Sequence, residues 1–208
     1  MEDGGDFHAQ VFSTLNPPSS ILVFKKLTMP AKISPRLRSR LKCVKLFLCD
    51  VDGVLTDGSV FIGGEREFKR FNIRDGLGMI LAQRAGLKVG WVSARPSVVT
   101  KMRAKELKID FLVQQGDNLS KTGAVEKLLA REKLDWSEVC FVGDDVVDLG
   151  PLARVGLGVA VADARPQVKA AADLVTRAAG GRGAVREVVE MILQAQGKWE
   201  PVIAVYKS

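Results

Sequence analysis

Apolar and polar residues come in blocks of two lengths along this chain. Short apolar runs at 44–49, 87–92, 110–113, 139–142 and 155–161 are bounded by Gly, Ser, Asp or Asn-type turn formers and read as buried strands. Between them lie longer stretches with helical spacing; Leu77, Ile80, Leu81 and Ala85 form one such face, which Gly86 ends. Further helices are expected over 97–108, 121–132 and 184–196, with a short basic one over 36–42. Ser34-Pro35 supplies that basic helix with an N-cap and a first helical residue. Leu174-Val175 reads as a short edge strand, and Gly63-Gly64, between 59–62 and 65–71, as the turn of a β-hairpin or flap. Strands separated by helices predict βαβ units and a doubly wound, three-layer, parallel α/β sheet of Rossmann-like type.

The first strand ends in Cys49-Asp50-Val51-Asp52-Gly53. In an open parallel sheet, ligands collect beyond the carboxyl ends of strands. Extended positions i and i+2 project to one side, so Asp50 and Asp52 can face one small volume. Carboxylates that close repel unless a cation or proton lies between them, and the matching cation is hard and oxygen-loving, namely Mg²⁺. Taken alone, the same residues fit a solvated turn.

Composition removes several function classes. The net charge is +7, but residues 1–43 hold seven basic residues against three acids, which leaves only +3 for the rest. That is too little for a nucleic-acid face, and the basic stretch Arg36 to Lys42 lacks aromatics for stacking. Cys43, Cys49 and Cys140 are odd in number, lack metal-ligand spacing and lie in or beside apolar strands, as expected of buried reduced thiols in a cytoplasmic protein. With His8 the single histidine, a zinc site or a His-based nucleophile is disfavoured. No apolar run reaches the roughly 18 to 20 residues of a membrane span. Residues 1–33, rich in Gly, Asn, Pro and Ser, are expected to form a disordered or loosely attached extension, 34–198 the domain, and 199–208 a tail.

The other strand ends lead into Ser93, Lys121 and Gly143-Asp144-Asp145-Val146-Val147-Asp148. A doubly wound sheet brings such ends to one edge, where an acid pair, a hydroxyl, an ammonium and a second acidic turn form a set suited to phosphoryl transfer. Here the chain resembles the haloacid-dehalogenase phosphatase superfamily. Asp50 to Gly58 matches its first motif, Ser93 its second, Lys121 its third and Gly143 to Asp148 its fourth, in the family's order and across roughly residues 35 to 196. Lys121 stands one residue further from Gln115-Gly116 than the family's usual lysine. Within the superfamily the chain is most similar to the small capless 3-deoxy-D-manno-octulosonate 8-phosphate (Kdo-8-phosphate) phosphatases, through Phe71 to Gly78, Val159 to Ala164 and Ala179 to Glu187.

That resemblance implies Asp50 as nucleophile and Asp52 as acid/base. It implies Mg²⁺ on Asp50, the Asp52 backbone carbonyl and Asp144, phosphate binding by Ser93 and Lys121, and orienting roles for Asp145 and Asp148. A sugar-acid carboxylate suits a guanidinium, and Arg74, Arg95 and Arg182 are the candidates. No insertion is long enough for a cap domain. The family pattern implies a homotetramer in which the hairpin packs between subunits and a neighbour's tail, here Pro201 to Tyr206, covers the site; a final edge strand is the alternative for that tail. A nonulosonate 9-phosphate phosphatase and a non-catalytic oligomerisation module of the same fold are the competing functions.

Overall fold

Six apolar blocks pair in register as one parallel sheet in the computed structural model, which describes residues 33–64, 66–116 and 120–207. Its strands are β1 (Leu46–Cys49), β4 (Lys88–Ser93), β5 (Phe111–Gln114), β6 (Val139–Gly143), β7 (Leu157–Ala160) and β8 (Leu174–Val175). The order is β5-β4-β1-β6-β7-β8. The chain starts at the centre, winds outward through β4 to β5, and returns on the other side of β1 for the remaining strands. That reversal opens a crevice at the carboxyl end of β1, between β4 and β6. β1 and β6 are wholly buried, as strands covered by helices on both faces require.

The helices are α1 (Pro35–Cys43), α2 (Ile73–Arg84), α3 (Val98–Glu106), α4 (Thr122–Glu132), α5 (Leu149–Leu152), α6 (Pro166–Ala171), α7 (Ala184–Ala195) and α8 (Trp199–Ala204). Ser34 caps α1 by accepting from Leu37 N at 3.2 Å, as its hydroxyl and the following Pro35 led us to expect. α2 and α7 pack side by side because Gly78 has no Cβ; one there would press on Arg186 at 3.1 to 3.2 Å. The buried carboxylate of Asp75 fastens the same pair by accepting from Gly183 N at 3.1 Å and Arg186 N at 2.8 Å, the orphan donors at the start of α7. Between sheet and helices, fully buried Trp91 stacks on Phe71 with ring centroids 6.2 Å apart and donates from Nε1 to Met79 Sδ.

Four local expectations change. α2 begins at Ile73, ahead of Leu77, because the Asn72 side chain accepts from Arg74 N at 2.8 Å and caps it; Arg74, Asp75 and Gly76 therefore stand in its first turn. The hairpin limbs shorten to β2 (Phe61–Gly63) and β3 (Arg66–Phe68), a separate antiparallel pair turning at Gly64 with φ +62°. The tail makes no edge strand: it forms α8 against its own subunit, with Trp199 buried beneath Arg186 and Tyr206 Oη accepting from Arg84 Nη1 at 2.7 Å. Cys49 and Cys140 are buried free thiols, but Cys43, the last residue of α1, is exposed. The extension read over 1–33 lies outside the described residues except for Ile33, which packs against the core. Among the described residues, no helix is long and apolar enough to cross a membrane.

Candidate active site

Asp50 continues the β1 ladder, its backbone N donating to Val142 O at 2.9 Å, so the residue leaves the sheet at a fixed height. Its side chain is buried and accepts from Val51 N at 2.6 Å. The next turn needs Gly53, which has φ +87° and whose absent Cβ would collide with the Asp144 carboxylate. Thr56 Oγ1 ties the turn by accepting from Gly53 N at 3.3 Å and Gly58 N at 3.2 Å. The glycine-rich loop before α7 closes over it: a Cβ on Gly180 would strike Gly53 O, and Gly181 N donates to Val54 O at 2.9 Å. Asp163 holds that loop by accepting from Gly180 N at 2.9 Å.

β6 ends beside β1 and delivers the second acidic turn. Asp148 is fully buried; its Oδ2 accepts from Asp144 N at 2.9 Å and Asp145 N at 3.3 Å. A Cβ on Gly143 would lie 2.6 Å from Asp148, so glycine is needed where the carboxylate folds back. From the other direction, the fully buried ammonium of Lys121, at the start of α4, reaches Asp50 Oδ1 and Asp148 Oδ1, both at 2.7 Å. The altered spacing of this lysine in the sequence does not displace it from the acids. Gly150 lets α5 pass close to Ser120 and Thr122, which supports the start of α4.

Carboxylate oxygens of Asp50, Asp144 and Asp148 lie within 4.8 Å of one another. Like charges at that distance repel by ~3 kcal/mol at an effective dielectric of about 20. One ammonium does not balance three carboxylates. Burial, and then the neighbouring Asp148, push the Asp50 carboxyl up to about 7 against the pull of Lys121. Burial, Asp50 and Asp148 push Asp144 up to about 8. Burial alone would lower the Lys121 pKa, but Asp50 and Asp148 outweigh it and the net shift is upward. Asp144 Oδ1 is buried and has no hydrogen-bond partner among the described residues. An unpaired buried carboxylate oxygen beside two further acids is a donor set that fits a hard divalent cation.

The remaining candidates divide by position. Ser93, buried at the end of β4, donates to Arg95 O at 2.9 Å and accepts from Arg95 N at 3.2 Å. Asp52 turns away from the three-acid cluster toward the hairpin, where Lys69 Nζ meets its Oδ1 at 2.7 Å and Arg95 Nη2 lies 3.3 to 3.4 Å from its two oxygens. Arg95 binds Glu67 more closely, at 2.7 Å. Asp145 points outward and accepts from Val146 N at 2.7 Å, the cap of a short 3₁₀ turn; its carboxylate has no bond to Lys121. Arg74 and Arg182 line a separate groove of about 720 Å³ with Leu77 and Arg186, and no member of the acid cluster lines it.

Sequence reasoning missed Lys69 and Glu67. One signal was available: in an extended limb they share a face, opposite exposed Phe68, so a charged pair points toward the acid turn. It also missed Asp75, Asp163 and Thr56, whose bonds shape the loops.

The chain is similar to known proteins. Residues 115–188 match the model of a haloacid dehalogenase-like hydrolase family. A 3-deoxy-D-manno-octulosonate 8-phosphate phosphatase of Salmonella typhimurium is 41% identical over 167 residues, 80% of this chain and 88% of that protein. Its Yersinia pestis counterpart is 43% identical over 159 residues, 76% of this chain and 83% of the other. A Yersinia pestis crystal structure with the same enzyme name aligns with a TM-score of 0.78 at 40% identity, covering 81% of this chain and 90% of that one. The Moraxella catarrhalis enzyme, solved with magnesium, phosphate and Kdo, also aligns at 0.78, with 36% identity over 81% of this chain and 97% of its own.

Proposed function

Because the chain belongs to the haloacid dehalogenase-like hydrolases, and within them to the 3-deoxy-D-manno-octulosonate 8-phosphate phosphatases, we propose that it hydrolyses Kdo-8-phosphate to Kdo and inorganic phosphate. Its class, phosphoric monoester hydrolase, follows from that membership. The sugar acid and the residue roles are our reading. The observation that carries it is the buried meeting of Asp50, Lys121, Asp144 and Asp148 at the sheet's switch point.

In this reading an Asp50 oxygen attacks phosphorus in line, the bond to the sugar oxygen breaks, and an aspartyl-phosphate forms. Asp52 gives its proton to the departing alkoxide, then takes one from the water that attacks phosphorus and restores Asp50. Lys121 turns from Asp50 to the transferring phosphoryl oxygens, and the Ser93 hydroxyl donates to another. Asp148 keeps Lys121 in place and, through the Asp144 backbone, holds the acidic turn. Asp50, the Asp52 backbone carbonyl and Asp144 hold Mg²⁺, the ion with which the related Moraxella catarrhalis enzyme was solved. When bound, the ion neutralises carboxylate and phosphate charge. Asp145 shapes the turn from outside. Arg95, beside Asp52, meets the sugar-acid carboxylate in this reading, while Arg74 and Arg182 would serve it only from the separate groove that they line.

Assembly belongs to the same reading. Phe61, Ile62 and Phe68 are 59%, 79% and 57% exposed on the hairpin, an apolar face suited to burial between copies in a homotetramer. A non-catalytic module would have no use for three acids crowded around a buried lysine, an arrangement costly to keep without a ligand.

Phosphate release from Kdo-8-phosphate and from a nonulosonate 9-phosphate, with and without Mg²⁺, tests the function. Release should be fastest from Kdo-8-phosphate, stop on chelation, return with Mg²⁺, and fall more than about a thousandfold in Asp50→Asn. Activity surviving Asp50→Asn overturns the nucleophile; preference for the nonulosonate keeps the mechanism and replaces the substrate.

A further inference from the structure

We infer that Lys69 is a positioning residue for the reaction: its buried ammonium, delivered by the hairpin, clamps one carboxylate oxygen of Asp52 and leaves the other oxygen to exchange the proton. This rests on the acid/base role proposed for Asp52. The Lys69 side chain is 0% exposed, although it follows a strand whose partner faces solvent. Removing an ammonium from water is costly unless it is fully partnered, so a lysine that only decorated a hairpin would stay solvated. Lys69 has partners from two directions. Asp52 Oδ1 lies at 2.7 Å, and Thr100 Oγ1, buried on α3, lies at 3.1 Å. Glu67 stands at 3.7 Å on the same face of the hairpin limb.

The two oxygens of Asp52 are therefore unequal. Oδ1 is held by a fixed, buried cation. Among the described residues Oδ2 meets Arg95 Nη2 alone, at 3.3 Å; the same nitrogen lies 3.4 Å from Oδ1 and sits closer to Glu67, and the Arg95 side chain is 39% exposed. Arg95 can leave for an incoming carboxylate without freeing Asp52, because Lys69 keeps Oδ1. A carboxylate held by one oxygen presents the other at a constant position, and small errors in the placement of a proton donor cost large factors in rate. The labour is divided: Lys69 orients, Oδ2 transfers the proton, and Arg95 answers to substrate.

Leaving-group dependence separates this role from a purely structural one. An alkyl phosphate such as Kdo-8-phosphate needs its departing oxygen protonated, whereas 4-nitrophenyl phosphate releases a stable anion. The full chain with saturating Mg²⁺ is compared with Lys69→Met, Lys69→Gln and Lys69→Arg in first-turnover measurements. Lys69→Met should slow cleavage of the alkyl phosphate by about 30-fold or more, while first-turnover release of nitrophenolate stays within about threefold. Lys69→Arg should recover most of the loss, and KM should change little. Equal losses on both substrates, or none on either, overturn the inference and leave Lys69 as a fastener of the hairpin. Should Lys69→Met fail to fold in a thermal melt, Lys69→Gln, which can still reach Thr100, carries the same test: selective loss on the alkyl phosphate supports the inference, and equal or absent loss overturns it. Asp52→Asn alongside keeps the premises apart: if it too lacks leaving-group selectivity, the acid/base reading of Asp52 falls and the inference with it. Selectivity in Asp52→Asn but not in the Lys69 variants overturns the inference alone.

Discussion

On the sheet side of the site, Asp50 and Asp144 follow strands buried along their whole length, Ser93 ends one buried along nearly all of its length, and each is aimed by a backbone ladder. On the hairpin side, Lys69 follows a two-stranded ribbon whose first limb is exposed throughout, and what aims it is a pair of side-chain bonds. Both sides deliver a buried cation to a carboxylate at 2.7 Å, Lys121 to Asp50 and Lys69 to Asp52. The first pair is imposed by the core and the second by the hairpin surface. In the proposed mechanism such a site keeps the nucleophile and metal acids rigid while the acid/base side stays tied to an exposed element.

The largest effect should come from breaking the core-side cation. Lys121→Met leaves Asp50 and Asp148 facing each other without it, a loss of about 3 to 5 kcal/mol for one partner of a buried pair. At about 2 to 4 °C per kcal/mol, calorimetry without metal should record a midpoint lower by roughly 10 °C. Turnover should fall by at least about a hundredfold. A midpoint unchanged within about 2 °C would mean that the core does not depend on this lysine.

One substitution made on each side sharpens the contrast. Gly53 and Gly64 both have positive φ, +87° and +62°. A Cβ on Gly53 collides with the Asp144 carboxylate, whereas one on Gly64 meets nothing within 4 Å. Gly53→Ala should therefore raise the Mg²⁺ concentration for half-activation by about tenfold or more, on top of backbone strain. Gly64→Ala should cost only the strain of a left-handed residue, about 1 kcal/mol, with kcat within about twofold of the parent by the general tolerance of surface sites. Equal responses to Mg²⁺ would remove the special status of the Gly53–Asp144 approach.

The smallest effect on the chain itself should follow Ile62→Ser, since this residue is 79% exposed. Surface changes of this kind usually stay within about 0.5 kcal/mol. Light scattering should nonetheless report a tetramer for the parent and smaller species for the variant. A variant that remains tetrameric and fully active would show that the hairpin's apolar face does not build the assembly.

The strand-end residues were legible in the sequence because their position is a local property. Asp50 and Asp52 close an apolar run, Ser93 closes another, and Asp144 opens a Gly-Asp-Asp turn after a third, so hydrophobic patterning alone places them at one sheet edge. Motif order then attaches a chemistry. Other features were not local. Asp75 looks like a turn residue between Arg74 and Gly76, yet it caps a helix 108 and 111 residues further on. Arg74, Arg95 and Arg182 are all candidates for a carboxylate, and of the three only Arg95 touches Asp52. The tail, for which an edge strand is the alternative to covering a neighbour's site, forms α8, with Trp199 buried beneath Arg186.

The pair at the end of β1 shows where the division falls. Alternation in an extended chain determined that Asp50 and Asp52 leave the sheet together, the succession of strands and helices determined a parallel α/β sheet, and the order of the later motifs carried the resemblance to phosphatases. Only the tertiary structure decided that they part company: Asp50 turns inward to Lys121, 71 positions away in the numbering, and Asp52 turns outward to Lys69 on the hairpin. Burial is the reason. A carboxylate at a strand end takes whichever partner the surrounding elements bring out of water beside it, and that choice is made by packing between segments, which residue types along the chain do not encode one position at a time.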